Sequence, residues 1–411
     1  MSGHRITACR FCGGALSIPF CDLGATPLAN SYVPPVHAAV PDPVFPLNAM
    51  ACADCKLVQL DHTADATGIF SDYAYFSSFS STWMAHAAAF CADATARFGL
   101  GPTSFVAEIA SNDGYLLRNF VEAHIPCLGV EPAANVAATA IAAGVPTRVA
   151  FFGRQEAARI VAERGHADLV IANNVFAHVP DVNDFAAGLA ILAGPRGVVS
   201  IEQPHLLRMI QGLQFDTIYH EHFFYWSLHA MAQALAAHGL TVMRVEELST
   251  HGGSLRVYSS ATPHGDPGAL AAIQAAESAA RFDTPAGYAG FAPRVGAVLD
   301  GLRHHLHAVK GRRIAAYGAA AKGNTLLNAA GITAADIAMV ADRNPAKQGR
   351  LLPGSRIPVV TPETLLGWRP DEVIVLPWNI AGEIAGELRA MQSWGGRLMV
   401  AVPGLATVPF P

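Results

Sequence analysis

The 411-residue chain is poor in charge and lacks any long apolar run. Only 14% of its residues are charged, and 27 basic against 32 acidic side chains give a formal net charge of -5. This balance provides no basic surface for a phosphate backbone, so we expect no nucleic-acid partner. Hydrophobic residues reach 52%, but charges, Pro and Gly interrupt them repeatedly. We therefore predict no membrane helix and no membrane partner.

The first segment, MSGHRITACRFCGG, has no apolar core of the kind found in secretory signals, and it leads directly into a pair of cysteines. We therefore expect a cytoplasmic protein. A chain of this length exceeds what one hydrophobic core usually supports. We predict four parts: an N-terminal lobe (1–95), a central α/β domain (96–265), a helical connector (266–308) and a C-terminal domain (309–411).

Apolar strand-like runs alternate with helical stretches through the middle of the chain, as in FVAEIA, CLGVE and DLVIANNVF. Such alternation is typical of a mostly parallel sheet covered by helices, so the predicted fold class is α/β with a doubly wound, Rossmann-like sheet. The runs VMRVEEL and SLRVYSS predict an antiparallel hairpin at the end of that sheet. RRIAAYG, IAMVADR and EVIVLP repeat the pattern and predict a second, smaller Rossmann-like domain.

The number of cysteines is odd, seven, and four of them form two C-x2-C pairs: Cys9 and Cys12, Cys52 and Cys55. Four thiolates from two such pairs are the ligand set of tetrahedral structural zinc. Because sulfur fills all four positions, no site remains for a catalytic water. A redox role is the less favoured alternative, since neither pair sits at the start of a helix after a strand.

The segment EIASNDGYLL predicts a strand, a turn and a helix, the place where an α/β fold binds its cofactor. The absence of G-x-G-x-x-G disfavours NAD and favours a cofactor without a pyrophosphate, such as S-adenosylmethionine. An acidic residue at the end of the next strand suits the ribose hydroxyls, and two asparagines after a later strand either bond the cofactor or form a turn. The predicted cofactor residues are Glu108, Ala110, Ser111, Asn112, Asp113, Gly114, Glu131, Asn173 and Asn174.

The segment DTIYHEHFFYWS is the densest group of polar and aromatic residues in the chain. Its H-E-H run suggests a metal site, but neighbours in an extended segment point to opposite sides and no third ligand is evident. We therefore favour acid/base chemistry. A methyl acceptor carbon beside a carbonyl must first lose a proton, which requires a base such as histidine. The enolate then needs hydrogen-bond donors, for which Tyr219, Tyr75 and His178 are candidates.

Two further segments are predicted to close the pocket. DYAYFSSFSSTW carries Ser77 and Ser80, and HGGSLRVY carries Arg256 beside a glycine turn. Serine and arginine side chains suit phosphate or hydroxyl recognition, although an arginine in a strand can instead face solvent.

Taken together, the two cysteine pairs, PLANSY, DYAYFSSFSSTW, EIASNDGYLL, DTIYHEHFFYWS, HGGSLR and YGAAAKGNTLLN resemble the sugar C-methyltransferases of deoxysugar pathways, including those of tetronitrose biosynthesis. The resemblance follows nearly the whole chain in order. It implies a class I methyltransferase domain behind a zinc lobe, and a 4-keto sugar on a nucleoside diphosphate held between that lobe and the C-terminal domain. We expect this small-molecule substrate as the partner of a monomer or weak homo-oligomer.

The same resemblance assigns roles to individual residues. It makes His222 the general base and places Tyr219, Glu221, His178 and Tyr75 around the reacting sugar carbon. Without it, Glu221 is a residue that either orients an imidazole or binds a sugar hydroxyl. The late turn YGAAAKGN is implied to lie near the diphosphate and contributes the predicted substrate residues Tyr317, Lys322 and Asn324. Considered without the resemblance, Lys322 is as well explained as a solvent-facing lysine. Ala110 stands where methyltransferases commonly have glycine.

Three other functions remain as alternatives. Methylation of an oxygen or nitrogen needs the same cofactor turn but no cluster that stabilises an enolate. A dinucleotide-dependent oxidoreductase built on YGAAAKGN is disfavoured because that turn lacks spaced glycines and a following acid. The imidazole-rich cluster argues against a non-catalytic zinc scaffold.

Overall fold

The computed structural model describes residues 4–63, 78 and 81–411. The strands are β1 (His4–Arg5), β2 (Leu16–Thr26), β3 (Phe45–Cys52), β4 (Val58–Leu60), β5 (His62–Thr63), β6 (Val106–Ile109), β7 (Cys127–Glu131), β8 (Thr147–Val149), β9 (Leu169–Ile171), β10 (Val198–Pro204), β11 (Phe224–Tyr225), β12 (Thr241–Leu248), β13 (Ser254–Ser260), β14 (Ile314–Tyr317), β15 (Val340–Ala341), β16 (Val359–Val360), β17 (Glu372–Val375), β18 (Arg397–Val400) and β19 (Ala406–Val408). The α-helices are α1 (Ser81–Phe98), α2 (Leu117–Glu122), α3 (Ala134–Ala142), α4 (Arg154–Arg164), α5 (Val182–Ala193), α6 (Leu206–Gln211), α7 (Leu228–Ala236), α8 (Leu270–Ala279), α9 (Phe291–Ala308), α10 (Ala321–Ala329), α11 (Pro362–Trp368) and α12 (Ala381–Glu387).

The central sheet has the strand order β12-β13-β10-β9-β6-β7-β8. Strands β10, β9, β6, β7 and β8 run parallel. The strands β6, β7 and β9 are buried along their whole length, which explains their continuous apolar runs. The predicted hairpin is also present, because β13 pairs antiparallel with both β10 and β12. The α/β prediction is confirmed, and the order of the strands reverses between β6 and β9, where open sheets bind ligands.

The C-terminal sheet has the order β16-β15-β14-β17-β18-β19. Its first five strands are parallel and β19 is antiparallel. This is the second Rossmann-like domain that the sequence predicts. Its own reversal point lies between β14 and β17, and Gly318 follows β14 there with a φ of +90°. A Cβ at Gly318 would lie 2.4 Å from Pro377, so the close approach of the two loops requires glycine.

The N-terminal lobe contains the antiparallel sheet β2-β3-β4, to which β11 is added from the centre of the chain. Phe224 pairs with Gln59 and Tyr225 with Val58. As a result, the segment that carries the histidine cluster is anchored at one end in the sheet of the zinc lobe.

One apolar core connects the lobe, the connector helices and the C-terminal sheet. The Phe20 ring on β2 stacks on that of Phe291 on α9 at 4.6 Å between ring centres, and Leu302 continues the core toward Ile314 on β14. These parts therefore pack as one body, since separating them would expose large aromatic surfaces. In the part of the chain that the structure describes, no helix is long and apolar enough to span a bilayer.

Candidate active site

The four predicted zinc ligands meet in the N-terminal lobe. The Sγ atoms of Cys9, Cys12, Cys52 and Cys55 all lie within 4.8 Å of one another. The Sγ atoms of Cys9 and Cys55 are 3.6 Å apart, and those of Cys12 and Cys52 are 3.5 Å apart. These distances are close to the sulfur–sulfur spacing of about 3.8 Å expected for four thiolates at about 2.3 Å from a tetrahedral zinc ion. Gln59 donates from Nε2 to the Cys9 Sγ at 3.0 Å, as a second-shell amide does for a metal thiolate. The residues therefore fit a closed structural zinc site.

The predicted cofactor turn follows β6 at the point where the strand order reverses. Ala110, Asn112 and Gly114 all have positive φ values of 57°, 51° and 78°. This sequence of left-handed residues bends the backbone sharply before α2. A Cβ on Gly114 would approach Val145 to 2.9 Å, so only glycine fits there.

Two buried carboxylates flank this turn. The Glu131 carboxylate at the end of β7 accepts hydrogen bonds from the backbone N–H groups of Asn112 and Ala133, at 3.0 Å and 2.9 Å. Burial raises the pKa of Glu131 although these hydrogen bonds oppose the shift. Burial also raises the pKa of Glu108 well above its ordinary value, and the nearby Glu131 and Asp113 add to this effect.

Several buried polar atoms on this edge lack a hydrogen-bond partner among the described residues: Glu108 Oε2, Ser111 Oγ, Asp113 Oδ1 and both amide atoms of Asn174. Such atoms are rare in native proteins, and the five at this edge lie where open α/β sheets bind ligands, which fits a cofactor site. Asn173 and Asn174 follow β9 and are tied to β10, since the Asn173 Oδ1 accepts from Glu202 N at 3.2 Å and Asn174 N donates to Glu202 O at 2.7 Å. The nucleoside and amino-acid parts of S-adenosylmethionine present the donors and acceptors that these atoms need.

The histidine cluster forms a tight turn, and the expectation of an extended segment at residues 219–222 is wrong. The backbone N–H of His222 donates to the carbonyl of Tyr219 at 2.8 Å. Because the chain folds back here, Tyr219 and His222 lie on the same side, with ring centres 3.9 Å apart and the Tyr219 hydroxyl 2.8 Å from His222 Nε2. His220 lies on the other side and is buried against the carbonyl of Phe45.

Hydrogen bonds to backbone carbonyls determine the tautomers of two histidines. His222 Nδ1 lies 2.9 Å from the carbonyl oxygen of Thr217, and His178 Nδ1 lies 2.9 Å from that of Glu221. A carbonyl only accepts, so each Nδ1 carries the proton and each Nε2 is the basic nitrogen. The Tyr219 hydroxyl therefore donates to His222 Nε2. The two imidazoles meet edge to face at 4.6 Å, beside the loop that follows β9.

Both histidines are neutral at neutral pH. Desolvation lowers the pKa of His222 well below its ordinary value, and the neighbouring His178 adds to the shift. Desolvation lowers the pKa of His178 to about 4. Each imidazole thus presents a neutral Nε2 as its proton acceptor, and the lowered pKa makes it a weaker base than a free imidazole.

The Glu221 carboxylate does not orient the His222 ring, as one of its two predicted roles required. Both of its oxygens accept hydrogen bonds of 2.9 Å from Nδ2 of Asn30. Burial raises the pKa of Glu221 to about 7, and the Asn30 hydrogen bond opposes this rise. Asn30 lies within the PLANSY motif but is not among the residues predicted for the site.

Arg256 on β13 faces the neighbouring strand, so the solvent-facing alternative for it is wrong. Its Nη2 donates to the buried Glu202 at 2.7 Å, while His86 Nε2 and the Thr250 hydroxyl lie 2.9 Å and 3.1 Å from the same carboxylate. Burial opposes the ionisation of Glu202, but the His86 hydrogen bond and the Arg256 charge outweigh it and lower the pKa. The guanidinium is thus held by the protein, and a substrate contact for it stays a prediction. Neither Glu202 nor His86 lies in a sequence motif that predicts a role for it in the site.

Lys322 lies at the reversal point of the C-terminal sheet, next to polar and aromatic groups that the sequence did not predict. Its Nζ donates to Asn379 at 3.3 Å and lies 4.8 Å from the ring centre of Trp378. Trp378 in turn donates from Nε1 to Asp216 at 2.7 Å, just before the turn at residues 219–222. Burial raises the pKa of Asp216 to about 6 although the Lys322 charge opposes it. Burial lowers the pKa of the Lys322 amine, and the charge of Asp216 opposes this shift.

Two other predicted substrate residues, Asn324 and Tyr317, form hydrogen bonds within the protein. Asn324 donates from Nδ2 to the carbonyl of Ala29 at 2.6 Å, and the Tyr317 hydroxyl donates to Glu387 at 2.5 Å. Both side chains thus have protein partners. The predicted residues Tyr75, Ser77 and Ser80 lie outside the described residues, and their roles stay predictions.

The strand order, the left-handed turn after β6 and the unsatisfied polar atoms beside it define a class I, S-adenosylmethionine-dependent methyltransferase. Consistent with this, residues 83–245 match the protein-family model of a methyltransferase domain, residues 9–70 that of a zinc binding domain, and residues 249–403 that of a C-methyltransferase C-terminal domain. The chain is 34% identical to the C-methyltransferase NovU of Streptomyces niveus, over 97% of this chain and 96% of that protein. It belongs to the sugar C-methyltransferase family that its motifs predict.

Two solved methyltransferase structures each cover less than half of this chain. Magnesium protoporphyrin IX methyltransferase from Synechocystis, with bound S-adenosylmethionine, is 14% identical, covers 44% of this chain and 79% of its own, and has a TM-score of 0.34. An S-adenosylmethionine-dependent methyltransferase from Anabaena variabilis is 15% identical, covers 42% and 83%, and has a TM-score of 0.35.

Proposed function

We propose that this C-methyltransferase methylates the carbon next to the keto group of a sugar linked to a nucleoside diphosphate, with a 4-keto-deoxy sugar on thymidine diphosphate as the substrate. The observation that supports this most strongly is the Tyr219–His222 turn. It presents a neutral imidazole as a proton acceptor beside the loop that follows β9, at the edge that binds the cofactor. Methylation of an oxygen or nitrogen does not need such a base together with donors for an enolate.

Bound S-adenosylmethionine supplies an electrophilic methyl group, so the task of the chain is to prepare a carbon nucleophile. A carbon next to a ketone becomes nucleophilic when it loses a proton and its electron pair moves toward the carbonyl oxygen. His222 Nε2 accepts that proton. The carbonyl of Thr217, 2.9 Å from Nδ1, holds the ring in the reactive tautomer and stabilises the imidazolium that results.

The developing enolate oxygen needs a hydrogen-bond donor close to the base. The Tyr219 hydroxyl, 2.8 Å from His222 Nε2, is suited to this role. Once Nε2 has taken up the proton it no longer accepts a hydrogen bond, and the hydroxyl can donate to the enolate oxygen instead. The Glu221 carboxylate accepts a hydrogen bond from a sugar hydroxyl. The edges of the central sheet and of the C-terminal sheet supply the rest of the pocket. Lys322 contributes a positive charge for the diphosphate.

Labelled S-adenosylmethionine and a panel of nucleotide-linked keto sugars in deuterated water test the proposal. We expect mass spectrometry to show methyl transfer to a 4-keto-deoxy sugar and to no sugar that lacks the ketone. Deuterium should enter the carbon next to the ketone when substrate is incubated with enzyme that lacks a reactive methyl donor. Transfer of the label to a hydroxyl oxygen, with no exchange at carbon, would contradict the proposal.

The pH dependence of the reaction is expected to follow Glu221 rather than His222. Because the pKa of Glu221 is raised to about 7, its carboxylate fraction increases as the pH rises through this region, and kcat should increase with it. His222 and His178, whose pKa values are lowered, are already neutral there. The measurement is kcat between about pH 5.5 and 9 for wild type and Glu221→Gln. The variant should be slower and lack the rise near neutrality; an unchanged rise would assign it to another group.

A further inference from the structure

The segment 27–33 joins three parts of the molecule at the turn formed by residues 219–222. Asn30 contacts the carboxylate of Glu221. On either side of it, the carbonyl of Ala29 accepts from Asn324 of α10 at 2.6 Å, and the Tyr32 hydroxyl donates to the carbonyl of Ala319 at 2.5 Å. Val33 then forms a bridge with Leu351. This segment of the N-terminal lobe is therefore attached to the C-terminal domain immediately before and after Asn30.

These attachments define where the Asn30 amide lies. The Asn324 and Tyr32 hydrogen bonds restrain the backbone of the segment, so the Asn30 side chain reaches Glu221 from a fixed position rather than from a free loop. The amide nitrogen of Asn30 lies 2.9 Å from each of the two carboxylate oxygens. This arrangement orients the plane of the carboxylate and favours its ionised form.

Other groups around Glu221 do not replace this contact. The charge of Glu221 contributes to the raised pKa of Tyr32. His178 donates to the backbone carbonyl of Glu221 but not to its carboxylate. His222 is hydrogen-bonded to Thr217 and Tyr219. Among the described residues, Asn30 is the side chain that bonds the Glu221 carboxylate.

We propose that Asn30 is a positioning residue for the methyl transfer, which acts by holding the ionised Glu221 carboxylate toward the sugar hydroxyl. The inference rests on the proposed function, because it assigns Asn30 to the substrate contact of Glu221. It also gives the N-terminal lobe a role in the reaction: the lobe supplies the group that orients an acidic residue of the methyltransferase domain.

A double-mutant cycle tests whether Asn30 works through Glu221. Asn30→Leu removes the donor at nearly constant volume, and we expect kcat to fall about tenfold, the effect of losing a hydrogen bond to a charged group. In the Glu221→Gln background, the same substitution should lower kcat by less than about twofold, because the charged partner is already gone. Equal losses in both backgrounds would overturn the proposal. Ser31→Ala, at an exposed neighbouring position, is the control for the segment and should behave as wild type.

A second measurement needs no substrate and so separates this inference from the proposed function. Carbon-13 NMR of protein labelled at the glutamate carboxyl carbon follows the titration of Glu221, whose signal is identified by its absence in Glu221→Gln. Asn30→Leu should raise the pKa of Glu221, and Asn30→Asp should raise it further because a second carboxylate then faces the first. Ser31→Ala should leave it unchanged. If Asn30→Leu does not move this titration, Asn30 does not act on Glu221, even if the sugar substrate is confirmed.

Discussion

Replacing His222 with asparagine is expected to reduce methyl transfer at least about 100-fold, the lower range for removal of a general base. Asparagine retains an amide N–H that can reach the carbonyl of Thr217, so the turn should keep its shape. It has no nitrogen that accepts a proton near neutral pH. The loss should therefore appear in kcat, measured with labelled S-adenosylmethionine and the keto sugar identified by the panel.

Binding of S-adenosylmethionine to His222→Asn should remain within about twofold of wild type in calorimetry, since the predicted cofactor residues lie on or after β6, β7 and β9 and do not include His222. His264→Asn is a matched control at an exposed histidine and should leave both measurements unchanged. Wild-type turnover by His222→Asn would mean that another residue removes the proton. Loss of cofactor binding would mean that the substitution disturbs the sheet edge.

Replacing Cys52 with serine is expected to remove the zinc ion and destabilise the protein. Structural zinc contributes roughly 10–16 kcal/mol to the folding of small zinc domains. This lobe also shares an apolar core with α9 and the C-terminal sheet, so we expect a smaller loss of about 3 kcal/mol or more in the free energy of unfolding. Metal content and thermal melting measure both effects. The rate per folded molecule should change little, because the four thiolates leave no open position for chemistry.

Cys21→Ala provides the control within the same lobe. Cys21 is buried on β2 but is not part of the four-cysteine cluster. Its substitution should leave one zinc ion bound and lower the free energy of unfolding by about 1 kcal/mol, the effect of a small cavity. If Cys52→Ser melts like wild type and retains its metal, the structural role assigned to the zinc is wrong.

Much of the fold was predictable because its signals are local. Continuous apolar runs predicted β6, β7 and β9, and two such runs separated by a short link predicted the β12-β13 hairpin. The addition of β11 to the sheet of the zinc lobe was not predictable. It is a two-residue strand whose partner, β4, lies far away in the sequence. Strand pairing over such a separation depends on how whole units pack, which leaves no periodic pattern in either segment.

The site residues likewise comprise some that local sequence signals predicted and others that depend on contacts between distant segments. The cysteine pairs, the cofactor turn and the histidine cluster each lie within a short segment, so residue type and spacing identified them. The extended conformation expected for residues 219–222 was wrong because the alternation argument assumes a strand, whereas a tight turn brings Tyr219 onto His222. Arg256 was considered as a solvent-facing residue because sequence analysis could not detect its buried partner on the neighbouring strand, Glu202.

By itself, the sequence determined which chemical groups this enzyme possesses and in what order: a thiolate set for zinc, a turn for S-adenosylmethionine and an imidazole that we propose removes a proton. The tertiary structure alone decided which of these groups act on one another. Asn30 and Glu221 are 191 positions apart, and Trp378, which contacts Lys322 of the same C-terminal sheet, donates a hydrogen bond to Asp216 of the methyltransferase domain. Such contacts are set by the packing of separate sheets around a common core, and packing depends on all the surfaces that meet rather than on the spacing within any one segment.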